Sequence, residues 1–250
     1  MRAWLISLLL AVSGSAFAAP DYAREKRWDD EITPDIVIGD PVYLTQKNRH
    51  KFLGIYTEAD KAKMGLVVVH GVGIHPDWGM VGTLRQRLPE HGYATLSIQM
   101  PILAVDAKPE AYAAHFSEAV ERLQLAVAYL KGKGHKRIAV VSHSMGSRMS
   151  HAYMTRNPVE GSAWAALGMP APFGKPDGAI VYDGIKAPVL DLYGVNDLAQ
   201  VLVGGAQRKA SLKGNALSRQ VVISPDTDHF FANHEEAMVK AVKEFLDNVK

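Results

Sequence analysis

RIAVVSHSMGSRMSHAY, residues 137–153, decides the fold. Its first part, Arg137–Ser142, is a nearly continuous run rich in β-branched residues, as a strand buried on both faces requires. Its second part, from Met145 to Asn157, predicts a helix. A strand that feeds a helix directly through His143-Ser144-Met145-Gly146 must turn sharply, and the turn lifts Ser144 above the sheet edge. The N–H of the next residue and the helix N-terminus then favour negative charge close by. Tight packing demands small flanking residues. Gly146 meets that need on one side; on the other, Ser142 stands where the pattern G-x-S-x-G has glycine.

The same alternation extends in both directions. Lys51–Tyr56, Gly65–His70, Tyr93–Gln99, Ala163–Gly168, Ala187–Tyr193 and Gln220–Ser224 read as further strands. Helices are predicted near Trp78–His91, Pro109–Lys131, Leu198–Lys213 and His234–Val249. In the second of these, Phe116, Val120, Leu123, Ala126, Val127 and Leu130 share one face. Strands alternating with helices over short connections predict an α/β fold, a mostly parallel central sheet covered by helices on both faces. The early Pro41–Tyr56 segment is expected to add antiparallel strands at one edge.

The chain has 250 residues, 48% of them apolar and 22% charged, which suits one α/β domain. Its start, MRAWLISLLLAVSGSAFAAPDY, has a basic residue, an apolar run and the small-residue pattern Ala16-Phe17-Ala18. That predicts a signal peptide over 1–18, cut after Ala18, and export to the periplasm or medium. Residues 19–40 show no clear period and are expected to lie over the surface as an arm, with the folded domain over 41–250. No other run is long enough to span a bilayer. Lysine and arginine number 28 against 26 acidic residues, which gives no electrostatic footprint for nucleic acid. The absence of cysteine excludes disulfides, a thiol nucleophile and cysteine zinc sites.

A serine attacks only if a base takes its proton and a carboxylate orients that base. His229 follows the last strand in SRQVVISPDTDHFFANHEEA, and Asp197 follows the preceding strand in APVLDLYGVNDLAQ. Both fall at the carboxyl edge of the sheet, where open α/β sheets place their sites. There are ten histidines, of which His143, His151 and His234 are the nearest rivals as base. Asp191 rivals Asp197, but its place inside a strand suits a buried structural acceptor; Asp226 and Asp228 share a loop with His229. In GLVVVHGVGIHPDW, the glycines after the strand let the backbone turn toward Ser144. The N–H groups of Val72 and Met145 are the expected donors to an oxyanion, while His70 is expected to brace the loop.

VVVHGVG, VVSHSMGSR, LDLYGVND and DTDHFF, in that order, resemble the oxyanion loop, nucleophile elbow, acid loop and histidine loop of the α/β-hydrolase superfamily. The likeness runs from about Lys51 to Lys250 and is greatest to a small exported bacterial group. It implies acyl transfer to water through a serine-bound intermediate, with Ser144 as nucleophile, His229 as base, Asp197 as acid and no cofactor or metal. The segment between Met169 and Ala187 is too short for a large cap domain, so an open site is expected. Trp78, Met100 and Phe230 are expected to contact substrate, with Pro101, Ile102, Phe173 and Phe231 as further candidate walls. A carboxylesterase acting on small or envelope-associated esters is the leading expectation. A thioesterase or peptidase with the same triad, or a silent envelope binding protein of the same fold, are the alternatives.

Overall fold

The computed structural model describes residues 19–157, 163–172 and 181–249; the expected signal peptide and Phe173 lie outside the described residues. The strands are β1 (Asp40–Thr45), β2 (Lys51–Thr57), β3 (Met64–Val69), β4 (Tyr93–Ile98), β5 (Ile138–His143), β6 (Trp164–Leu167), β7 (Val189–Gly194) and β8 (Arg219–Ile223). They form one sheet in the order β1-β2-β4-β3-β5-β6-β7-β8. The pairings from β4 through β8 are parallel, whereas β1 pairs antiparallel with β2 and β2 with β4, so the antiparallel edge falls where the sequence places it.

The helices are α1 (Tyr22–Ile32), α2 (Gly79–Arg87), α3 (Phe116–Gly132), α4 (Met145–Met154), α5 (Ala199–Leu202), α6 (Gly205–Ser211) and α7 (Glu235–Asn248). Side chains alternate across a strand, and both faces of β3 are buried. Val67 and Val69 belong to a core with Leu123 of α3 and Met149 of α4. Leu66 and Val68 belong to a second core with Val81 of α2 and Val242 of α7. This double cover is why the strands read as continuous apolar runs.

Three elements differ from the sequence reading. Residues 19–40, expected to lie over the surface as an arm and showing no clear period, contain α1, which Asp21 caps by accepting the Arg24 N–H at 2.8 Å. The residue α1 buries is Glu25, paired with Arg122 of α3, so the helix has no apolar stripe to betray it. The helix expected over Leu198–Lys213 breaks into α5 and α6 around Gly204, and the first turns expected of α3 are a 3-10 segment, Pro109–His115. Among the described residues between β6 and β7 there is no helix, consistent with the lack of a large cap.

Candidate active site

The elbow is held by its neighbours on the sheet. Ser144 lies between β5 and α4 with φ 56° and ψ −123°, a strained conformation for a residue with a Cβ. Its N–H donates to the Leu167 carbonyl of β6 at 2.8 Å. Gly146 is required by close approach: a Cβ there would fall 2.3 Å from the His70 carbonyl oxygen. Ser142 accepts the Trp164 indole N–H at 2.8 Å and donates to Ser147 Oγ at 3.1 Å, so its side chain turns into the sheet rather than crowding the turn.

The parallel strands bring the expected catalytic residues together at one edge. Ser144 Oγ lies 2.9 Å from His229 Nε2, and His229 Nδ1 lies 2.6 Å from Asp197 Oδ1. The Asp197 carboxylate also accepts the Leu198 N–H at 2.7 Å and the Gly194 N–H at 3.4 Å. An ionised carboxylate only accepts, so the imidazole proton sits on Nδ1 and the Nε2 lone pair faces the serine hydroxyl. His229 and Asp197 are buried, and Ser144 is half-buried at the cleft floor.

The rival residues are engaged elsewhere. Asp191 is buried against Arg208 at 2.9 Å and accepts from Tyr182 Oη at 2.7 Å. Asp228 accepts the N–H groups of Phe230 and Ala232, both at 3.0 Å, which pins the histidine loop. His151 and His234 pair with the Val181 and Ala232 carbonyls. His143 Nε2 donates to the His229 carbonyl at 2.9 Å, with the two rings 4.6 Å apart. Burial, and next the neighbouring His229 ring, lower the His143 pKa to about 3, so it stays neutral.

The cleft has a volume of about 380 Å³ and is lined by Val72, Ile74, Met145, Pro170, Leu198 and Phe230, among others, with Ser144 and His229 also in its wall. Gly71 presses against the nucleophile, since a Cβ on it would lie 3.0 Å from Ser144 Cβ. Among the described residues, the N–H groups of Val72 and Met145 donate to no backbone carbonyl outside helices and strands. Of the three expected substrate contacts, Phe230 lines the cleft and is 43% exposed. Trp78 stands behind it, ring centroids 5.2 Å apart, as a support. Met100 does not line the cleft. It leaves β4 with its N–H on His70 Nε2 at 2.8 Å and its side chain in the core, and Pro101, Ile102 and Phe231 are buried too.

Sequence reasoning did not identify Gly168, Glu110 or Gln200. Glu110 reaches the cleft from the 3-10 segment Pro109–His115 and Gln200 from the short α5, and neither turn carries a pattern that marks one residue as facing the site. Gly168, just past β6, has φ +55°, and a Cβ there would lie 2.9 Å from His229 Cε1. A glycine ending a strand at the site edge was the available signal. Among the described residues, no group of three or more His, Cys, Asp or Glu could hold a metal ion, and no helix is long and apolar enough to cross a membrane.

Solved structures share this architecture. Est1E from Butyrivibrio proteoclasticus is 18% identical with a TM-score of 0.65, over 83% of this chain and 97% of that one. The Pyrococcus furiosus esterase Pf2001 is 16% identical with a TM-score of 0.69, over 84% and 91%. A dienelactone hydrolase from Anabaena variabilis is 20% identical with a TM-score of 0.63, over 84% and 98%. The chain has the α/β-hydrolase fold. Within that fold, residues 40–119 match a family described as "Protein of unknown function (DUF3530)". No curated protein sequence matches the chain.

Proposed function

We propose that this α/β-hydrolase-fold protein is a serine hydrolase that cleaves carboxylic esters through a covalent acyl-enzyme, and that it acts outside the cytoplasm. The observation that carries the reading is the unbroken relay Ser144 Oγ, His229, Asp197, with contacts of 2.9 and 2.6 Å. Ser144 Oγ attacks the ester carbonyl while His229 Nε2 takes its proton, and Asp197 holds the imidazolium. The oxyanion is met by the N–H groups of Val72 and Met145. The proton on Nε2 passes to the departing alkoxide, the C–O bond breaks, and the acyl group remains on Ser144. Water, deprotonated by the same histidine, then attacks the acyl carbon, and Ser144 leaves as the restored hydroxyl.

The apolar cleft favours an uncharged acyl group, and the short connection between β6 and β7 favours a short one. Kinetics on p-nitrophenyl esters of graded chain length should show kcat/KM falling as the acyl chain grows; a marked rise would overturn the short-chain preference. Thioester and peptide substrates in the same panel separate the alternatives that share the triad. Labelling with a fluorophosphonate tests the nucleophile. The adduct should map to Ser144, vanish in Ser144→Ala, and form far more slowly in His229→Ala. A folded wild type that never labels favours a silent binding protein. The basic start and apolar run before Ala18 support export, which cell fractionation checks.

A further inference from the structure

His70 is buried just past β3 and accepts twice through one nitrogen. The Met100 N–H at 2.8 Å and the Gln99 side-chain amide at 3.0 Å both meet Nε2. A ring nitrogen that receives donors carries no proton, so the hydrogen sits on Nδ1 and goes to the Gly71 carbonyl at 2.8 Å. That carbonyl and the Val72 N–H belong to one planar trans peptide and point opposite ways. Holding the carbonyl toward His70 aims the N–H away from it, and Val72 lines the cleft beside Ser144.

Gln99 is gripped from its other side. Arg122, fully buried on α3, donates through Nη1 to the Gln99 carbonyl and to Glu25 Oε2, both at 3.0 Å. Its Nη2 donates to Glu25 Oε1 at 3.0 Å and Glu118 Oε1 at 2.7 Å, and its Nε to Gln46 Oε1 at 3.1 Å. Glu25 thus holds the guanidinium with both oxygens, and His50 Nε2 lies 2.9 Å from it. The helix carrying Glu25 also fastens the next residues: the Asp21 N–H meets the Ile102 carbonyl at 2.7 Å, and Arg24 the Leu103 carbonyl at 3.1 Å.

We propose that α1 is a positioning element for the oxyanion loop, acting from Glu25 through Arg122, Gln99 and His70 on the direction of the Val72 N–H. This rests on reading that N–H as an oxyanion donor. A buried guanidinium that loses one of its two carboxylate partners, keeping Glu118 alone, redistributes its donors among the acceptors that remain, and the Gln99 carbonyl shares the Nη1 that also meets Glu25. Movement there loosens both donors to His70, and with them the Gly71–Val72 peptide. Burial holds the His70 pKa near 3, which keeps Nε2 available as an acceptor.

The test uses the full chain with Glu25→Gln, which keeps shape and removes charge. On p-nitrophenyl acetate, kcat should fall about tenfold with KM little changed, a fraction of the roughly 10²-fold or greater loss of a whole oxyanion donor. The base pKa in the pH–rate profile should stay in place. The His70 ring, followed by ¹⁵N NMR, should stay neutral, with its Nε2 signal shifting as that nitrogen's donors loosen. Val72→Pro, which deletes the N–H, should lower kcat strongly, and adding Glu25→Gln to it should cost nothing further. An equal loss from Glu25→Gln in both backgrounds overturns the proposal, as does a fall in kcat with the His70 ring signals unmoved. Wild-type kcat in Val72→Pro removes the oxyanion reading and the proposal with it. Wild-type kcat in Glu25→Gln beside a slow Val72→Pro removes the proposal alone. Should Val72→Pro not fold, the His70 signals in Glu25→Gln decide the question.

Discussion

Among the described residues, the Ser142 hydroxyl is the acceptor that meets the buried Trp164 indole N–H, at 2.8 Å, and this explains a serine where the elbow pattern has glycine. Ser142→Gly should therefore leave an indole N–H unpaired in the core, at a cost of about 1–3 kcal/mol. Urea unfolding should show that loss while fluorophosphonate labelling of Ser144 persists; an unchanged midpoint would mean that the indole finds another acceptor. Gly168 works in the opposite sense, by leaving room. At φ +55°, an added Cβ would sit 2.9 Å from His229 Cε1 and 3.0 Å from Nδ1. Gly168→Ala should displace the imidazole and lower kcat/KM about 10²-fold, the scale of a misplaced catalytic group. Stopped-time labelling checks it, and a wild-type rate would show that the ring can shift without harm.

At the scale of elements, α3 joins the core to the network behind the oxyanion loop, since it buries both Leu123 and the adjacent Arg122. Leu123→Ala should cost about 2–5 kcal/mol of stability, read as a lower denaturation midpoint with the slope preserved. The periodicity of α3 was legible because its burial is apolar. That of α1 was not, since Glu25 is its buried residue and its partner lies 97 positions away. The triad was legible because strand ends in a parallel sheet share one edge, which converts order along the chain into proximity. Loop residues carry no such conversion. Met100 reads as a wall from composition, yet its backbone is bound to His70 and its side chain faces the core. Gly168 needs the position of His229 before its own role can be seen.

Across the whole molecule, buried neutral histidines should set the first stage of acid destabilisation. Burial lowers the pKa of both His70 and His143 from 6.5 to about 3, and His75, His135 and His151 are lowered in the same direction. Between those values the unfolded chain binds protons that the native protein refuses. Stability contributed by these rings is therefore complete above pH 6.5 and is lost progressively as pH falls toward 3. Each fully excluded proton adds about 1.4 kcal/mol per pH unit to the slope. Urea midpoints between pH 6.5 and 5 isolate the effect, because carboxylates are still largely ionised there. Asp247, held low chiefly by Lys243, adds its loss only below its ordinary value of 3.8. His143→Gln replaces the titrating ring with an amide able to donate toward the His229 carbonyl, so it should flatten the slope by up to one proton. A variant with the full wild-type slope would show that the His143 ring takes up its proton in the folded protein, and that its burial does not exclude charge.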